Sequence, residues 1–435
     1  MTEPDASLPR HRPAFRTPSG YLEIPSGARA AIVQKARTLT SPVLSNLPGL
    51  VKGLGFRVAF AAALPERPTF MIMQTTVACN SRCRMCSIWK MVPENELALD
   101  EVVRVFKDPY LNKLRWLNLT GGEPFMRQNF AEIVKAAADN LPNLEIIAIP
   151  SNGFMPDRVE KVTRQMLEYL KGKDILLNVN ISIDGIGEKH EEIRRIPGGF
   201  EKCLESLRRL QAIGKENPQL ESGVEAIITA LNVGEMRKIY EGLKDKTDHV
   251  NLTPAIISSY YLGNEQMASD VKLKGPDITE MLGFLKEMEE KEPAYAYYFN
   301  NVRSIYLHGH RTFPCLMGWK SMYMNAEGDV FPCHLLGPDY KMGNVRDGPM
   351  EDLWEGAKAK SVRQRLKHEE FCAVCTNNCD LLNNLKEETW SFASYMLQHP
   401  QTFSRLLKEI KEKDHLRKYA GGRLKVKASK DAPPA

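Results

Sequence analysis

Strand and helix patterns alternate between Thr69 and Glu292, and this alternation restricts the fold of the 435-residue chain more than any other feature. Six strand–helix units in series predict a parallel sheet with right-handed crossovers, whose functional loops gather at the carboxyl ends of the strands. The predicted strands are Phe70–Val77, Leu114–Leu119, Leu144–Pro150, Ile175–Ile183, Val224–Ile228 and Val250–Thr253. The amphipathic stretches that separate them are Leu99–Phe106, Asn129–Leu141, Arg158–Leu170, Phe200–Ile213 and Met236–Leu243.

Three cysteines, Cys79, Cys83 and Cys86, follow the first predicted strand within eight residues. On one loop they can bind three irons of a [4Fe–4S] cube and leave the fourth iron open to a small molecule, whereas a sealed electron-transfer cluster takes four cysteines. Zinc and structural thiols are the alternatives, although zinc favours paired C-x2-C units that supply four ligands. The C-x3-C-x2-C spacing resembles the signature of the radical S-adenosylmethionine (SAM) enzymes, which directly follows their first barrel strand.

A glycine-rich motif, Thr120-Gly-Gly-Glu-Pro, follows the second predicted strand. Two glycines let the backbone approach a ligand closely, and a proline stiffens the exit from the loop. A plain turn between a strand and a helix is the alternative, but the motif lies one strand–helix unit after the cysteine loop, as in the family. In radical SAM enzymes this loop holds the methionyl amino group of SAM, where a carboxylate adds a charge-assisted bond. The resemblance assigns that role to Gly121, Gly122, Glu123 and Pro124.

Polar residues at two further strand ends match the family more loosely. The resemblance implies that Asn152 meets the ribose of SAM, and that Ser182 meets its carboxylate or ribose. Arg194 would bind the carboxylate, a bidentate task suited to a planar guanidinium. Ordinary cap and turn chemistry is the alternative for each position. The chain departs from the family at Met85, where an aromatic residue is usual, and methionine can fill that apolar slot near the adenine.

A second group of cysteines lies in the C-terminal third of the chain and surrounds a β-hairpin predicted at Glu327-Gly328. This group resembles the SPASM/twitch extension of radical SAM enzymes, in which such cysteines hold an auxiliary [4Fe–4S] cluster. Zinc is the alternative, because C-x2-C pairs are common in zinc ribbons. The preferred ligands are Cys315, Cys333, Cys372 and Cys375, with Cys379 as a spare or exchanging fifth thiol. The ninth cysteine, Cys203, is expected to be a small core residue on a helix.

The resemblance covers about residues 69–385 and implies an α/β fold: a partial (β/α)6 radical SAM barrel with a C-terminal SPASM/twitch β-hairpin plus helix extension. We expect an irregular or helical N-terminal extension at 1–68, the barrel at 69–299 and the auxiliary-cluster domain at 300–385. Residues 386–435 are expected to form a C-terminal helix and a basic disordered tail.

The same resemblance implies an enzyme that cleaves SAM reductively to a 5′-deoxyadenosyl radical, which abstracts a hydrogen atom from a substrate C–H bond. A flavodoxin- or ferredoxin-type protein would supply the electron, and oxidation, epimerisation or related radical chemistry could follow. We favour a non-peptide substrate (a sugar, aminocyclitol, lipid or other small metabolite), because residues 1–68 are too short and irregular for a fused peptide-recognition domain. A peptide- or protein-modifying maturase is the alternative.

A non-catalytic iron–sulfur or zinc protein that transfers electrons or scaffolds a partner is the alternative of another class. The glycine-rich motif argues against it, since a sealed electron carrier needs no loop for a methionyl group.

The net charge of +5 is dispersed and does not indicate nucleic acid binding. No signal-peptide pattern and no apolar run of roughly 18–20 residues is found, so a cytoplasmic location is expected. The N-terminal segment 43–58 has helical apolar spacing, which favours a capping helix over contact with a membrane surface.

Overall fold

The structure is a computed structural model that describes residues 66–377 and 389–412. Within these residues the core is one nine-stranded sheet with the spatial order β6–β5–β4–β3–β2–β1–β7–β8–β9. The strands are β1 (Phe70–Gln74), β2 (Trp116–Thr120), β3 (Ile146–Ser151), β4 (Leu176–Ser182), β5 (Leu220–Ile228), β6 (Val250–Pro254), β7 (Ser321–Met324), β8 (Asp329–Phe331) and β9 (Gly343–Asn344). All pairs from β6 across to β7 are parallel, which confirms the predicted α/β barrel class.

Helices connect and flank these strands. The α-helices of the described residues are Leu99–Phe106, Phe130–Asn140, Pro156–Leu170, Glu188–Arg194, Gly199–Glu216, Met236–Leu243, Ala268–Val271, Gly275–Lys291, Ala296–His308, Met350–Glu355, Ala357–Leu366, Glu370–Ala373, Thr389–Gln398 and Pro400–Glu412. Short 3₁₀ helices are found at Ile88–Lys90, Pro109–Lys113, Pro124–Met126, Val233–Glu235, Lys244–Lys246, Glu265–Met267 and Pro338–Tyr340. None of the described helices is both long and apolar enough to cross a bilayer.

All six strands and five helices predicted between Thr69 and Glu292 are present; the helices Leu99–Phe106 and Met236–Leu243 have the predicted ends, and the other elements have shifted ends. Strand β5 begins four residues before the predicted Val224, because its first part contains Glu221 and Gly223, which interrupt the apolar pattern. Strand β1 ends at Gln74 rather than Val77, because the chain turns there into the cysteine loop. These differences arise where polar residues or loops interrupt the hydrophobic period on which the prediction depends.

The sheet packs its outer face against the helices. The side chains of Leu177, Val179 and Ile181 on β4 are buried, as are Leu207 and Leu210 on the facing side of the helix Gly199–Glu216. Spacing of three and four residues on the helix and of two on the strand brings these apolar faces together. The helices therefore cover one face of the sheet and leave the inner face to form the lumen of the partial barrel.

The predicted C-terminal hairpin is confirmed, since β7 and β8 are antiparallel and turn at Gly328, whose φ of +86° favours glycine. Strand β7 also pairs in parallel with β1, so the extension continues the barrel sheet, a pairing that the sequence analysis did not predict. The helix Ala296–His308 is continuous across the expected boundary at 299/300. We therefore propose that the boundary between barrel and extension follows this helix.

Several predicted features lie outside the described residues. These are the N-terminal segment 43–58, Cys379 and the basic tail beyond residue 412. After position 386 the structure describes two helices, Thr389–Gln398 and Pro400–Glu412, where the sequence analysis expected one.

Candidate active site

The three clustered cysteines lie on a loop at the carboxyl end of β1. Glu96 holds the start of this loop by accepting hydrogen bonds from the Thr76 hydroxyl (2.9 Å) and the Val77 amide (2.7 Å). Its middle is held by the Arg84 amide, which donates to the Ile193 carbonyl at 2.8 Å. Cys83 is buried, and Cys79 and Cys86 are partly buried. The loop is therefore fixed at several points and presents all three thiols in one region.

Burial disfavours the ionised form of these thiols, so a nearby positive charge is needed to stabilise their thiolates. Burial raises the pKa of Cys79 to about 11 and that of Cys86 to about 12, and the charge of Cys83 adds to both effects. The guanidinium of Arg194 lies beside them, with Nη1 3.8 Å from the Cys83 sulfur. A cationic centre bound to the thiols would reverse the effect of burial, since metal coordination deprotonates a thiol.

Arg194 is itself held by a buried carboxylate. Its Nε donates to Asp184 Oδ2 at 2.5 Å, and both residues are buried. Burial alone would lower the pKa of Arg194, but the charges of Asp184 and Cys83 raise it above its ordinary value. Asp184 also accepts from the Ile227 amide at 2.9 Å, while its carbonyl accepts from the Asn232 side chain. Asp184 lies two residues after the predicted site residue Ser182, and its role could not be predicted from the sequence.

The two motif glycines bring the glycine-rich loop against the cysteine loop. A Cβ on Gly122 would lie 2.3 Å from the Ala78 oxygen, and one on Gly121 would lie 2.5 Å from the Thr76 oxygen. The Gly122 amide donates to the Thr76 carbonyl at 2.8 Å, and the next amide donates to Ala78 at 2.7 Å. The motif predicts that these glycines let a ligand approach the backbone. The structure shows that the contact between the two loops also requires them.

Glu123 directs its carboxylate into the protein. It accepts hydrogen bonds from the Asn152 amide (2.6 Å), the Ser151 hydroxyl (3.0 Å) and the Phe125 amide (3.1 Å). The residue is completely buried, and this burial raises the pKa of Glu123 to about 7. The structure thus shows no exposed carboxylate oxygen for the expected bond to the methionyl ammonium, and Glu123 instead connects the second and third strand ends. Pro124 begins the 3₁₀ helix that leaves the loop, as expected of a stiff exit.

Asn152 connects the end of β3 to the cysteine loop. Its Nδ2 donates to Asn80 Oδ1 at 2.6 Å, and its carbonyl accepts from the Cys203 thiol at 3.1 Å. Cys203 is fully buried, as predicted, and this hydrogen bond adds a positioning role. Ser182 is the last residue of β4 and is partly accessible from the lumen. Hydrogen bonds and backbone pairing therefore bring together the predicted residues that follow β1, β2, β3 and β4.

Met85 lies in an apolar cluster with Cys83, Ile193, Ile257 and Val271, and only 8% of Met85 is exposed. This surrounding agrees with the apolar slot that the sequence analysis expected there. Contact with the adenine remains a prediction.

The second cysteine group converges from three parts of the extension. Cys333 packs against three apolar clusters, which it shares with Cys372, Cys315 and Cys375 respectively. Burial raises the pKa of Cys372 to about 12, and the charge of Cys375 adds to that rise. No three His, Cys, Asp or Glu side chains in the described residues could share one metal ion; in a [4Fe–4S] cube each thiolate binds a separate iron.

A single loop after β6, residues 255–264, touches both cysteine groups. Asn264 Nδ2 donates to the Met85 carbonyl at 3.0 Å, while the Ser258 hydroxyl donates to the Leu335 carbonyl at 3.4 Å. Ile257 packs beside Cys83 and Met85, whereas its neighbour Ile256 packs beside Leu335 and Cys375. We call residues 255–264 the bridging loop. The sequence analysis did not identify it, because nothing in its composition marks contacts with distant segments.

Three aromatic rings line the space between the two cysteine groups. Tyr261 on the bridging loop meets His334 edge-on at 5.1 Å and Tyr323 at 5.8 Å, measured between ring centroids. Its hydroxyl lies 3.1 Å from the hydroxyl of Thr120, the first residue of the glycine-rich motif. Burial raises the pKa of Tyr261 to about 12, and the charges of Cys86 and Glu225 add to the rise. Tyr261 thus lies between the cysteine loop and the lumen.

The inner face of the sheet is polar and partly accessible to water. Ser182, Glu225 and Asn251 form one row across β4, β5 and β6, and all three are partly exposed. The outward-facing neighbours Val224 and Ala226 are completely buried. Because accessibility alternates along the strand, water reaches these polar groups from the lumen. The inner face of the barrel therefore carries a polar, partly accessible row of side chains.

Two protein-family models match this chain in the regions just described. Residues 73–241 match the radical SAM superfamily, and residues 315–380 match the SPASM iron–sulfur cluster-binding domain. Both matches lie within the barrel and the extension that the sequence analysis delimited. The radical SAM match contains the three-cysteine loop, and the SPASM match contains the second cysteine group.

The similar proteins include a heme synthase, a maturation protein and a protein solved with a precursor peptide. The AdoMet-dependent heme synthase of Methanosarcina barkeri is 23% identical over 337 residues, which cover 72% of this chain and 90% of that protein. The sporulation killing factor maturation protein SkfB of Bacillus subtilis is 25% identical over 308 residues, covering 69% and 68% of the two chains. The crystal structure of Streptococcus suis SuiB bound to precursor peptide SuiA has a TM-score of 0.51 at 14% identity, covering 77% of each chain, and shows a shared fold.

Proposed function

This chain belongs to the radical SAM superfamily and carries a SPASM domain, and we propose that it abstracts a hydrogen atom from a small non-peptide substrate in the polar lumen. Its cofactors are SAM, a [4Fe–4S] cluster and an auxiliary cluster. Together the cluster and SAM supply a 5′-deoxyadenosyl radical, so the hard chemistry belongs to the cofactors. The protein's part is to bind, orient and shield the reacting groups.

The described residues fit these cofactors. Thiolates are soft ligands suited to iron–sulfur clusters, and three of them lie on one loop beside the guanidinium of Arg194. We assign the SAM-binding cluster to Cys79, Cys83 and Cys86. We assign the auxiliary cluster to Cys315, Cys333, Cys372 and Cys375, with Cys379 as the spare thiol.

The surrounding side chains hold these groups in place. Asp184 fixes the guanidinium of Arg194, which we assign to the carboxylate of SAM together with Ser182. Met85 and Ile257 provide an apolar surface for the adenine. Asn152, fixed against Asn80, is assigned to the ribose. Each contact is made by a side chain already held by the protein, which reduces the entropy lost on binding.

The observation that carries the proposal of a small substrate is the polar, water-accessible row Ser182, Glu225 and Asn251 inside the barrel. A lumen with such a row on its wall can surround a compact molecule with a few placed polar groups. The heme synthase, which aligns over 90% of its length, is a relative named for a small-molecule product. SkfB favours the alternative, a peptide substrate, because its name describes a maturation protein. The electron donor that we propose is a flavodoxin- or ferredoxin-type protein.

The test uses the hydrogen atom that the radical removes. Reconstituted protein is incubated anaerobically with dithionite, unlabelled SAM and an extract of the native host grown in deuterated medium. The extract is divided by ultrafiltration into small metabolites and macromolecules, and 5′-deoxyadenosine is measured by mass spectrometry. We expect deuterium in 5′-deoxyadenosine only with the small-metabolite fraction. Deuterium transfer only from the macromolecular fraction would instead establish a peptide or protein substrate.

A further inference from the structure

The lumen contains two charged pairs that are already neutralised within the protein. Asp184 pairs with Arg194 at 2.5 Å, and Glu221 Oε1 lies 3.1 Å from His249 Nδ1. The other nitrogen of His249 lies 3.0 Å from Asn180 Oδ1, so both imidazole nitrogens meet an acceptor. Burial by itself lowers the pKa of His249, but the hydrogen bond to Glu221 and its charge raise it above the ordinary value. An imidazolium donates from both nitrogens and therefore fits this position.

The backbone of β5 is adapted to this pair. A Cβ on Gly223 would lie 2.1 Å from His249 Nε2 and 2.5 Å from Asn180 Oδ1. Only glycine at this position leaves room for the imidazole on the inner face of the sheet. The pair is therefore built into the lumen, and it accounts for the charge of Glu221.

Glu225 is different, because no hydrogen bond or ion pair joins its carboxylate to another side chain in the described part of the chain. It lies on the inner face of β5 beside Ser182 and Asn251. The charges that act on it are those of Asp184, Arg194 and His249, and each of these is engaged elsewhere. Burial, followed by the charge of Asp184, raises the pKa of Glu225 above its ordinary value. After the two internal pairs are counted, one negative charge in the lumen has no partner.

A second unpaired group on the inner face is also an acceptor. The Oδ1 atom of Asn118 on β2 is shielded from water and has no hydrogen-bond partner among the described residues. A buried acceptor without a donor is destabilising, and a donor on a bound molecule would remove that cost. The inner face thus has an unpaired acceptor at Asn118 and an unpaired negative charge at Glu225. A ligand that corrects both must donate hydrogen bonds and carry positive charge.

We infer that Glu225 is the anchor for a protonated amine on the substrate, so that the enzyme acts on a small amine-bearing metabolite. This inference rests on the proposed function, because it names the chemistry of the molecule that occupies the lumen. The ammonium donates to the Glu225 carboxylate, and neighbouring hydroxyl or amide donors reach Asn118. Asn251 and Ser182, in the same row as Glu225, complete the polar surface.

The experiment separates the small-metabolite fraction of the deuterated extract by charge. Three pools are prepared: one retained on a cation exchanger, one retained on an anion exchanger and one retained on neither. Deuterium transfer to 5′-deoxyadenosine is then measured with each pool. We expect transfer from the cationic pool. Transfer only from the anionic or the neutral pool would overturn the inference, whereas transfer from no pool would remove the proposed function on which it rests.

Variants locate the contact. Glu225→Gln keeps the shape of the side chain and removes the charge, and we expect about ten- to hundredfold more of the cationic pool to be needed for half-maximal transfer. The control is Glu201→Gln, an exposed carboxylate on the helix Gly199–Glu216, which should behave like the wild type. SAM affinity is measured in parallel by equilibrium binding, since SAM also carries an ammonium. An equal loss of SAM affinity in Glu225→Gln would assign the residue to the cofactor and overturn the inference, as would an unchanged response to the pool.

Discussion

Asn264 donates from Nδ2 to the carbonyl oxygen of Met85 at 3.0 Å, although 179 residues separate the two along the chain. The same amide group donates to the Ile256 carbonyl at 3.0 Å and accepts from the Ser258 amide at 2.8 Å. Asn264 is 1% exposed, so water cannot replace these bonds. One side chain therefore closes the bridging loop and fixes the backbone of the cysteine loop between Cys83 and Cys86.

Replacing Asn264 with alanine should weaken SAM binding and lower the thermal unfolding midpoint. The change leaves two buried carbonyls and one buried amide unpaired, and each such group costs about 1–3 kcal/mol. The measurements are thermal unfolding and equilibrium binding of SAM to the reconstituted protein. The control is Asn143→Ala, an exposed amide that makes a single bond to the Asn112 carbonyl. Equal effects of the two changes would show that the Asn264 bonds do not hold the site.

Gly122→Ala should impair cluster assembly as well as SAM binding. The new Cβ would lie 2.3 Å from the Ala78 oxygen, so the cysteine loop must shift before any cofactor is present. We expect less iron per chain after reconstitution and a loss of SAM cleavage. Gly234→Ala is the matched control, since a Cβ there meets nothing within 4 Å. Full iron content together with weakened SAM binding would show instead that Gly122 makes room only for the ligand.

Arg194→Lys should weaken SAM binding strongly although it keeps the positive charge. In Arg194, Nε lies 2.5 Å from Asp184 Oδ2 and Nη1 lies 3.8 Å from the Cys83 sulfur. Lysine has a single nitrogen and cannot make both contacts at the same time. Equilibrium SAM binding should weaken by about tenfold or more, since hydrogen bonds between charged groups contribute about 1.5–3 kcal/mol. Arg195→Lys, at the exposed neighbouring position, is the control. Wild-type affinity in Arg194→Lys would remove Arg194 from the SAM site.

The sequence predicted those parts of the molecule that depend on local pattern. Alternating periods identified six strands, and the spacing of Cys79, Cys83 and Cys86 identified the reactive loop before its position was known. Cys203 was correctly placed in the core, because its helix has a clear apolar face. In each case the signal lies within a short stretch of sequence.

What the sequence did not predict depends on contacts between distant segments. The pairing of β7 with β1 joins residues about 250 positions apart, and the hydrophobic period of either strand does not indicate its partner. The bonds of Asn264 and Asp184 arise only when the loops after several strands meet. The motif also predicted where Glu123 lies but not the direction of its carboxylate, which the Asn152 and Ser151 donors determine.

Changing Cys79, Cys83 and Cys86 together to alanine should halve the iron content. Two [4Fe–4S] clusters correspond to about eight irons per chain, and removal of the SAM-binding cluster should leave about four. SAM cleavage to 5′-deoxyadenosine should be abolished. Iron and labile sulfide are measured against protein concentration, with Cys203→Ala as a control that alters a buried thiol outside both groups. Zinc in place of the remaining iron would contradict the assignment of an auxiliary iron–sulfur cluster.

Cys333→Ala should remove about four irons while the barrel retains its own cluster, because the two cysteine groups belong to different parts of the chain. The change also acts on the barrel, since Leu335 accepts from Ser258 on the bridging loop and Asn264 on that loop fixes Met85. We therefore expect SAM cleavage without substrate to persist at a reduced rate, with some loss of solubility from the missing metal site.

Turnover of the native substrate by this variant should fail, because the product radical loses an electron acceptor or the pocket loses the wall formed around His334 and Tyr261. A second variant, His334→Ala, separates these causes: it keeps all auxiliary cysteines but removes the ring that meets Tyr261 and the contact with Asn377. If that variant retains eight irons and turns over substrate, the cluster itself is required. Full product formation by soluble, SAM-cleaving Cys333→Ala protein would exclude an essential auxiliary cluster. Such a protein would complete the reaction without the second cluster, which could then be neither a required electron acceptor nor a required part of the pocket.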